Sequence, residues 1–342
     1  MILLADARPL LDRSSGGVRR VTAGLVNALS ETAGTHELIL ASTGLEVPTP
    51  GHRHRRFPNK FINACSLAGI PYDAWFNTKA DAIFFPNLAW TGTPRRPYSV
   101  VVHDLSFLIE PRWFNVKSRL WHKLARPITF LKKANLLFAV SEQTKKDLIN
   151  VVGVNPDRIT VIPLGIEPLP NLTLADASDA SASADASPYL LALGLGNPRK
   201  NADGVIQAWR IARKTFPELK LILIGPGQHT PETGIEIHPS PTDSELSNLM
   251  QHASAFLYPS WYEGFGLPLH EAAFFGTPCI ASTAGSLPET PPTGTLFAPP
   301  HKPHLWAAAI QTILKNPTGY KTQTQTRTWD EAAKMIWKKL SV

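Results

Sequence analysis

The chain has 342 residues, of which 43% are hydrophobic and 18% are charged. This length suits two domains of ordinary size better than one. No apolar run approaches the ~18 residues that a membrane-spanning helix requires, so the composition predicts a globular protein that does not cross a bilayer. The opening residues lack a basic region and a cleavage pattern, and we interpret them as a buried strand rather than a secretion signal.

The net charge of +7 is concentrated in the first half of the chain. Residues 1–165 hold 21 Lys and Arg against 12 Asp and Glu, whereas the remainder holds 13 against 15. Such an excess indicates either a solvated basic surface or a face that meets an anionic partner, such as a phosphorylated lipid or a membrane. Cys65 and Cys279 lack the spacing of a metal knuckle or redox pair, which favours a reducing, cytoplasmic location.

Apolar runs alternate with helix-like segments throughout the first half of the chain. The runs are MILLAD, ELILAST, AIFFPN, SVVVHD, LLFAV and ITVIPLG. This alternation predicts βα units around a parallel sheet. Ser141 is predicted to cap a helix over residues 141–152, because its hydroxyl can accept a hydrogen bond from the first free backbone amides.

Residues 171–188 are rich in Ala, Ser and Asp and show no periodicity, which predicts a linker. Alternation then restarts with YLLALGLG, LKLILIGPG, AFLYPS and TPCIAS, and helices are predicted near 202–215 and 243–252. The sequence therefore predicts a Rossmann-like domain over 1–168, a linker over 169–188 and a second Rossmann-like domain over 189–325. A terminal helix over 326–342 is predicted to pack back toward the first domain.

Two glutamates, Glu263 and Glu271, stand eight positions apart in the segment WYEGFGLPLHE. The glycines between them predict an irregular loop, and Pro268 predicts the first turn of a helix. Free amides beside a helix N-terminus suit a diphosphate, and carboxylates accept hydrogen bonds from vicinal hydroxyls. The pattern favours a nucleotide-sugar pocket. The alternatives are two surface glutamates, or the acid and base of a glycoside hydrolase.

The segment GLGNPRKN places Arg199 and Lys200 between a predicted strand and a helix. From this position a cation can reach a phosphate at the carboxyl edge of a parallel sheet, where ligands bind. Asn201 is the predicted N-cap of the following helix. Alone the signal is weak, since a lysine before a helix is usually a surface residue.

Two further candidates lie in the first half of the chain. Gly16 and Gly17 precede a predicted helix, in a loop that could accept a phosphate but has low specificity by itself. His103 follows a buried strand. It is either a structural residue or a group that provides hydrogen bonding or general-base help.

Taken in order, these segments resemble glycosyltransferase family 4, the retaining enzymes of the GT-B fold. The matching segments are GGVRRV, VVHDLSF, FAVSEQTKKDL with ITVIPLGI, PRKN, LILIGPG and EGFGLPLHE followed by GTPCIAS. The PRKN segment resembles that of a bacterial subgroup of mannosyl- and rhamnosyltransferases. The resemblance covers most of the chain and implies two Rossmann-like domains that face a central cleft, a nucleotide diphosphate sugar as donor, and no metal or other cofactor.

The resemblance also implies site residues. Glu263 is expected to contact the transferred sugar and Glu271 the ribose hydroxyls, while Lys200 and backbone amides bind phosphate. Many members carry an arginine where this chain has Leu195, and Arg199 is the candidate replacement. The implied catalytic set is His103, Arg199, Lys200 and Glu263. The implied donor-binding set is Gly16, Gly17, Gly264, Phe265, Gly266, Leu267 and Glu271.

The resemblance implies transfer of a hexose, with a mannose-like sugar and a GDP-linked donor favoured, by front-face attack in which the leaving phosphate accepts the acceptor's proton. The expected acceptor is a saccharide, lipid-linked, in cell-surface polysaccharide or lipopolysaccharide synthesis. Three alternatives remain open: a non-catalytic subunit of the same fold, an epimerase, and a phosphorylase. A phosphorylase would need a cofactor-anchoring lysine site that we do not identify.

Acceptors in this fold bind the N-terminal domain, which here is the basic one. The segments HRHRRFPNKFINACSLAG and RWFNVKSRLWHKLARPITFLKK mix cations with large apolar residues. That mixture is typical of helices or loops on an anionic lipid surface, so peripheral attachment to the inner face of the cytoplasmic membrane is expected. The alternative is that Trp113, Leu120, Trp121 and Leu124 pack into the core. Nucleic acid is not an expected partner, because no recognition module is present.

Overall fold

The computed structural model describes residues 1–11, 16–45, 52–76, 78–88, 91–167 and 187–341. The chain divides into two units. Unit 1 comprises Met1–Gly165 together with Arg327–Val342, and unit 2 comprises Ile166–Thr326. The predicted linker over 169–188 lies outside the described residues, except for its last two positions.

Unit 1 contains a parallel sheet of seven strands in the order β3-β2-β1-β4-β5-β6-β7. The first register pairs Ile2 with Glu37, and each strand runs parallel to its neighbours. The strands are β1 (Ile2–Asp6), β2 (Glu37–Thr43), β3 (His52–Arg55), β4 (Ala82–Phe85), β5 (Tyr98–Val102), β6 (Leu136–Ala139) and β7 (Ile159–Val161). The central strands β4 and β5 are buried at every residue, as expected for parallel strands covered on both faces.

The described helices of unit 1 surround this sheet. They are α1 (Arg8–Leu11), α2 (Gly16–Glu31), α3 (Asn59–Leu67), α4 (Ser106–Ile109), α5 (Val116–Ala125), α6 (Pro127–Lys133), α7 (Glu142–Asp147) and, from the end of the chain, α12 (Asp330–Leu340). The predicted cap of α7 is confirmed, because the Ser141 hydroxyl accepts from the backbone N–H of Thr144 at 3.0 Å. The predicted helix over 141–152 is an α-helix only to Asp147, and a π-helical turn continues it to Val152.

Helix α12 belongs to unit 1 although it lies at the end of the chain. Trp329 fills the space beside two glycines, since a Cβ atom at Gly24 or Gly165 would lie 2.2–2.5 Å from atoms of its indole ring. Trp337 donates from Nε1 to the carbonyl of Leu29 at 3.1 Å, and Ile336 is fully buried. The amphipathic pattern of this segment therefore buries one helix face against unit 1.

The basic segment that begins at His52 was expected to form helices or loops throughout, and this is wrong for its first part. Residues His52–Arg55 form the edge strand β3, which pairs in parallel with β2. The sequence did not predict this strand because all four side chains are polar and remain partly or fully exposed. The strand is held by hydrogen bonds to its neighbour.

Unit 2 contains a parallel sheet of six strands in the order β10-β9-β8-β11-β12-β13. The strands are β8 (Tyr189–Leu193), β9 (Lys220–Ile224), β10 (Ile235–His238), β11 (Ala255–Tyr258), β12 (Cys279–Ser282) and β13 (Leu296–Ala298). The described helices are α8 (Ala202–Arg213), α9 (Asp243–His252), α10 (Leu267–Phe274) and α11 (Pro303–Lys315). In neither unit is a described helix both long and apolar enough to cross a membrane.

The sheet of unit 2 has a hydrophobic core on each face. Leu190 of β8 packs in a cluster with Trp209 of α8 and Trp306 of α11. The adjacent Leu191 packs in a second cluster with Leu269 of α10. Alternate residues of the same strand thus face opposite helical layers, which is the arrangement of a doubly wound sheet.

Candidate functional site

Three of the predicted site residues meet at the carboxyl ends of two neighbouring strands of unit 2. Arg199 and Lys200 lie in a 3-10 turn after β8, and Glu263 lies in the loop after β11. Strands β8 and β11 pair in parallel, so the segments that follow them leave the sheet at the same edge. The sheet topology therefore explains how residues more than 60 positions apart in the sequence come into contact.

The Glu263 carboxylate is held by two cations. Lys200 donates from Nζ to Oε1 at 2.7 Å, and the Arg199 guanidinium lies 2.9 Å from Oε2. Arg199 also donates to the carbonyl of Tyr262 at 2.6 Å. The Glu263 side chain is only 8% exposed, and the two cationic side chains are 15% and 14% exposed. Both carboxylate oxygens are thus paired in a largely water-excluded environment, where charges interact strongly.

The charges of this cluster shift the pKa values of its members. Burial alone would raise the pKa of Glu263, but Lys200 and Arg199 outweigh burial and lower the pKa to about 2. Burial opposes the charged form of Lys200, yet the attraction of Glu263 raises the pKa of the ammonium above its usual value. Glu263 is therefore a carboxylate, and Lys200 an ammonium, throughout the physiological pH range.

Tyr258 completes the cluster, and the sequence analysis did not identify it. Its hydroxyl accepts a hydrogen bond from Lys200 Nζ at 2.8 Å, and the ammonium lies 4.5 Å from the centroid of its ring. Burial, followed by the nearby Glu263 charge, raises the pKa of Tyr258 to about 12, so the hydroxyl stays protonated. The available signal was a tyrosine at the end of a buried strand, because a buried phenol needs a polar partner.

The backbone of Glu263 is fixed by a second loop that the sequence analysis also missed. Ser286 donates from its backbone N and its Oγ to the Glu263 carbonyl at 3.1 and 3.0 Å. Gly285 adopts a φ of 63°, and a Cβ there would lie 2.6 Å from the same carbonyl. Only glycine combines this backbone conformation with so close an approach.

The loop over 264–267 leads directly into α10. Gly266 has a φ of 106°, Leu267 is the first helical residue, and Pro268 lies in the first turn, as the sequence predicts. Phe265 stacks on His270 with a centroid separation of 5.5 Å. Glu271 is buried within α10 and is 6% exposed. The loop thus presents its backbone at the positive end of a helix.

Asn201 does not have the predicted role. It precedes α8, but its side chain makes no cap hydrogen bond, because it adopts a left-handed conformation with φ 55°. Its Nδ2 instead donates to the carbonyls of Pro259 and Pro300 at 3.2 and 2.8 Å. Asn201 thereby connects three loops at the carboxyl edge of the sheet. Leu195, where many family members carry arginine, is buried in the core.

The other predicted site residues belong to unit 1. His103 follows β5 and is 2.9 Å from the Pro86 carbonyl through Nε2. Because a carbonyl only accepts, Nε2 carries the proton and the neutral ring has its lone pair on Nδ1. Burial lowers the pKa of His103, although the Pro86 carbonyl and Asp104 oppose this shift. The ring is therefore neutral at pH 7.

Gly16 and Gly17 were predicted to lie in a loop before a helix, and this placement is wrong. They form the first two residues of α2, because the helix begins at Gly16. Both are exposed, and a Cβ at either position would meet nothing within 4 Å. Residues 14 and 15 of the same segment lie outside the described residues.

Family models match both halves of the chain. The model described as Glycosyltransferase Family 4 matches residues 15–168, and the model described as Glycosyl transferases group 1 matches residues 175–335. Each half of the chain therefore matches a family of glycosyltransferase domains. The predicted family 4-like character is thus supported at the level of the domains.

Two relatives are similar to this chain in sequence. The Escherichia coli O-antigen chain mannosyltransferase B is 29% identical over 222 residues, which are 58% of this chain and 56% of that protein. The D-inositol 3-phosphate glycosyltransferase of Kineococcus radiotolerans is 28% identical over 229 residues, which are 55% and 51%. The chain therefore spans about half the length of the curated relatives it matches.

Solved structures show the same glycosyltransferase fold. Sucrose-phosphate synthase from Thermosynechococcus elongatus has a TM-score of 0.64 at 20% identity, covering 99% of this chain and 94% of that one. Anabaena HepE in complex with UDP-glucose has a TM-score of 0.62 at 17% identity, covering 99% and 95%. The predicted α/β fold class with two parallel-sheet domains, GT-B, is confirmed.

Proposed function

We propose that the chain is a retaining glycosyltransferase that transfers a hexose from a nucleotide diphosphate sugar to a saccharide acceptor. The observation that carries this proposal is the Glu263 carboxylate held between Lys200 and Arg199 beside the N-terminus of α10. A site with fixed cations, helix amides and an ionised carboxylate provides both charge neutralisation and acceptors for sugar hydroxyls.

Each residue of the cluster has a proposed role toward the donor. Lys200 and Arg199 neutralise the diphosphate, together with the amides of residues 264–267. Glu263 accepts hydrogen bonds from hydroxyls of the transferred sugar, and Glu271 accepts them from the ribose. Since Lys200 and Arg199 are already positioned by Glu263, little reorganisation is needed when charge develops on the leaving group.

The lowered pKa of Glu263 argues against this residue as the acid of a glycoside hydrolase. A hydrolase of that kind needs one carboxylic acid whose pKa is raised, so that it can protonate the leaving oxygen. The neighbouring cations instead lower the pKa of Glu263 to about 2. A group that is ionised at every physiological pH accepts hydrogen bonds and cannot act as that acid.

Retention is proposed to occur by front-face attack. The bond between the anomeric carbon and the leaving phosphate oxygen breaks while the acceptor oxygen bonds to the same face of that carbon. The acceptor's proton passes to the leaving phosphate. Positioning and charge stabilisation then account for most of the rate enhancement, and no metal is required in this scheme.

The residues of unit 1 are proposed to contribute secondary contacts. Because Nε2 of His103 is engaged by the Pro86 carbonyl, Nδ1 of the neutral ring is an acceptor for a hydroxyl of the sugar or of the acceptor. Gly16 and Gly17 expose the first amides of α2, which could bind a phosphate oxygen.

A GDP-linked donor and a mannose-like sugar are the favoured choice. The support is the PRKN-type resemblance of residues 198–201 and the Escherichia coli relative named as a mannosyltransferase. A UDP-linked donor is the competing choice, because HepE is similar in fold and its structure contains UDP-glucose. The proposed acceptor is a lipid-linked saccharide in O-antigen or lipopolysaccharide synthesis at the inner face of the membrane.

The surface of unit 1 supports the lipid-linked acceptor. Helix α5 has no buried residue, and Val116, Leu120 and Leu124 are 70%, 56% and 40% exposed. Because Leu120 and Leu124 are exposed, the alternative of core packing fails for these two leucines. Trp113 and Trp121 are half-buried. Exposed cations on the same helix, Arg119 among them, would favour an anionic bilayer.

A donor panel tests the proposal. Thermal unfolding is measured with GDP, UDP and dTDP, followed by hydrolysis of the matching nucleotide sugars by the purified protein. A nucleotide at 100 times its dissociation constant stabilises by about 2.7 kcal/mol, so we expect a clear shift with GDP and a smaller one with UDP. A larger shift with UDP overturns the donor assignment. If no nucleotide shifts the unfolding temperature and no donor is hydrolysed, the proposed enzymatic activity is overturned and a non-catalytic subunit is favoured.

A further inference from the structure

A cavity of about 610 Å³ lies in unit 2 beside the loop that carries Arg199 and Lys200. Its walls are the loop after β8, the first turns of α8, Trp261 after β11 and the segment over 300–303 after β13. Its volume falls within the roughly 300–1,000 Å³ of small-molecule sites. The cavity has no role in the function proposed above.

This cavity is distinct from the proposed donor site. Of the described residues that line it, none is Arg199, Lys200, Glu263, Glu271 or a residue of the loop over 264–267. Lys200 directs its ammonium toward Glu263 and Tyr258 instead. Two neighbouring sites thus share one loop, with the cations on one side and the cavity on the other.

The described residues that line the cavity include polar side chains and a tryptophan but no Lys or Arg. Trp261 is half-buried, and its indole N–H has no hydrogen-bond partner among the described residues. Asn197 uses its Oδ1 to accept from the Arg199 backbone at 3.1 Å, which leaves its amide N–H groups available. The remaining polar side chains that line it without a partner in the described chain are Asp203, Gln207, Gln228 and His301.

The walls of the cavity are fixed in place before any ligand binds. The buried Asn201 joins the segments at Pro259 and Pro300, and the Trp261 backbone N–H donates to the Arg199 carbonyl at 2.9 Å. The backbones of Gly196 and Gly227 approach so closely that a Cβ on Gly196 would lie 2.8 Å from Gly227. A preformed cavity loses little free energy to ordering when a ligand enters.

We propose that this cavity binds a neutral saccharide unit of the acceptor or product glycan. A sugar ring offers an apolar face for Trp261 and hydroxyl groups for the amides of Asn197, Gln207 and Gln228. The absence of Lys and Arg among the described lining residues disfavours phosphate, and the Asp203 carboxylate repels it. The identity of the glycan as acceptor or product rests on the proposed function. The cavity would give unit 2 a second contact with carbohydrate.

The test measures direct binding, so it does not depend on turnover. Isothermal titration compares neutral manno-, gluco- and galacto-oligosaccharides with sialylated and phosphorylated ones, in the absence and presence of saturating nucleotide diphosphate. The variants are Gln207→Ala/Gln228→Ala, in which both side chains are exposed, and Trp261→Phe, which keeps an aromatic ring. The matched control is Gln325→Ala, an exposed glutamine elsewhere in unit 2.

We expect at least one neutral oligosaccharide to bind equally well with and without nucleotide. The double variant should bind it about 30-fold more weakly, given roughly 1 kcal/mol for each of two hydrogen bonds, while Gln325→Ala binds as the parent does. Nucleotide binding should be unchanged in all of these variants. Failure of every neutral oligosaccharide to bind overturns the proposal, as does displacement by nucleotide diphosphate or unchanged affinity in the double variant. Failure of the parent protein to bind any nucleotide diphosphate would instead count against the proposed function.

Discussion

Glu110 in unit 1 and Glu263 in unit 2 are each paired with arginine, but only the second pair is buried. Arg112 donates to Glu110 at 2.8 and 2.6 Å, and its side chain is 85% exposed. Hydrogen bonding to Arg112 lowers the pKa of Glu110, as the two cations lower the pKa of Glu263. Lowered pKa values thus arise both in a solvated pair and in a buried cluster. Only in the buried cluster are the charges shielded from water and salt.

The largest expected effect is a loss of turnover when the cluster around Glu263 is changed, with no such loss when Glu110 is changed. Lys200→Ala and Glu263→Ala should each lower turnover by about 10²–10³, because each removes a preorganised contact to the transition state. Glu263→Ala should also lower the free energy of unfolding by about 3–5 kcal/mol, since it removes the carboxylate that balances two buried cations. Steady-state kinetics and chemical denaturation measure both effects.

Glu110→Ala is the control for that comparison. It removes an equally well-formed pair from the surface of unit 1, so turnover should stay within error of the parent. Full activity of both purified Lys200→Ala and Glu263→Ala would remove the site assignment.

The second prediction concerns the basic surface of unit 1. In the double variant Arg119→Ala/Lys123→Ala, association with anionic vesicles at low salt should weaken by about 30-fold, at roughly 1 kcal/mol per cation. Flotation with phosphatidylserine vesicles measures the bound fraction. Lys338→Ala/Lys339→Ala makes the same charge change on α12, where both side chains are exposed, and should have little effect. Equal losses in the two variants would show that charge alone, and not α5, governs binding.

A third, smaller effect is expected from Tyr258→Phe. The change keeps the ring under the ammonium but removes the hydroxyl that Lys200 contacts, which costs about 1 kcal/mol or roughly fivefold in turnover. If Tyr258 positions Lys200, the loss appears in kcat rather than in KM. A raised KM with unchanged kcat would contradict a positioning role.

The last prediction uses pH to distinguish the buried cluster from the exposed pair. The folded-state pKa of Glu263 is depressed from 4.5 to about 2, so its stabilisation is complete above pH 4.5 and is lost as the pH falls toward 2. The difference in unfolding free energy between the parent and Glu263→Gln should shrink over that interval and should hardly change in 1 M salt. The corresponding difference for Glu110→Gln should be small at low salt and vanish at high salt.

The sequence predicted the strands that are apolar runs, including the edge strand β7, but it missed the edge strands β3, β10 and β13. Strands such as β5 and β9 are continuous apolar runs because both faces are covered, and this pattern is readable from residues alone. Strands β3, β10 and β13 are short and partly exposed, and they exist because a neighbour supplies hydrogen bonds. Pairing with a neighbour is not encoded in the side-chain pattern of the strand itself.

The same limit applies to the site. The spacing of Glu263 and the position of Lys200 identified the two main charges, since both follow strands and flank glycine-rich loops. Tyr258 and Asn201 were missed or misassigned, because their partners lie 58 and 99 positions away in the sequence. Predicting such contacts requires the order of strands in the sheet, which the sequence pattern does not contain.

Helix α12 gives unit 1 an unusual dependence on the order of synthesis. The indole of Trp329 occupies the space beside Gly24 and Gly165, yet it follows the whole of unit 2 in the sequence. Unit 2 is continuous in sequence and can fold as soon as it emerges from the ribosome, whereas unit 1 also needs residues 327 onward, which are synthesised after unit 2. A truncation that removes residues 327 onward would therefore destabilise the unit whose other residues are synthesised before unit 2.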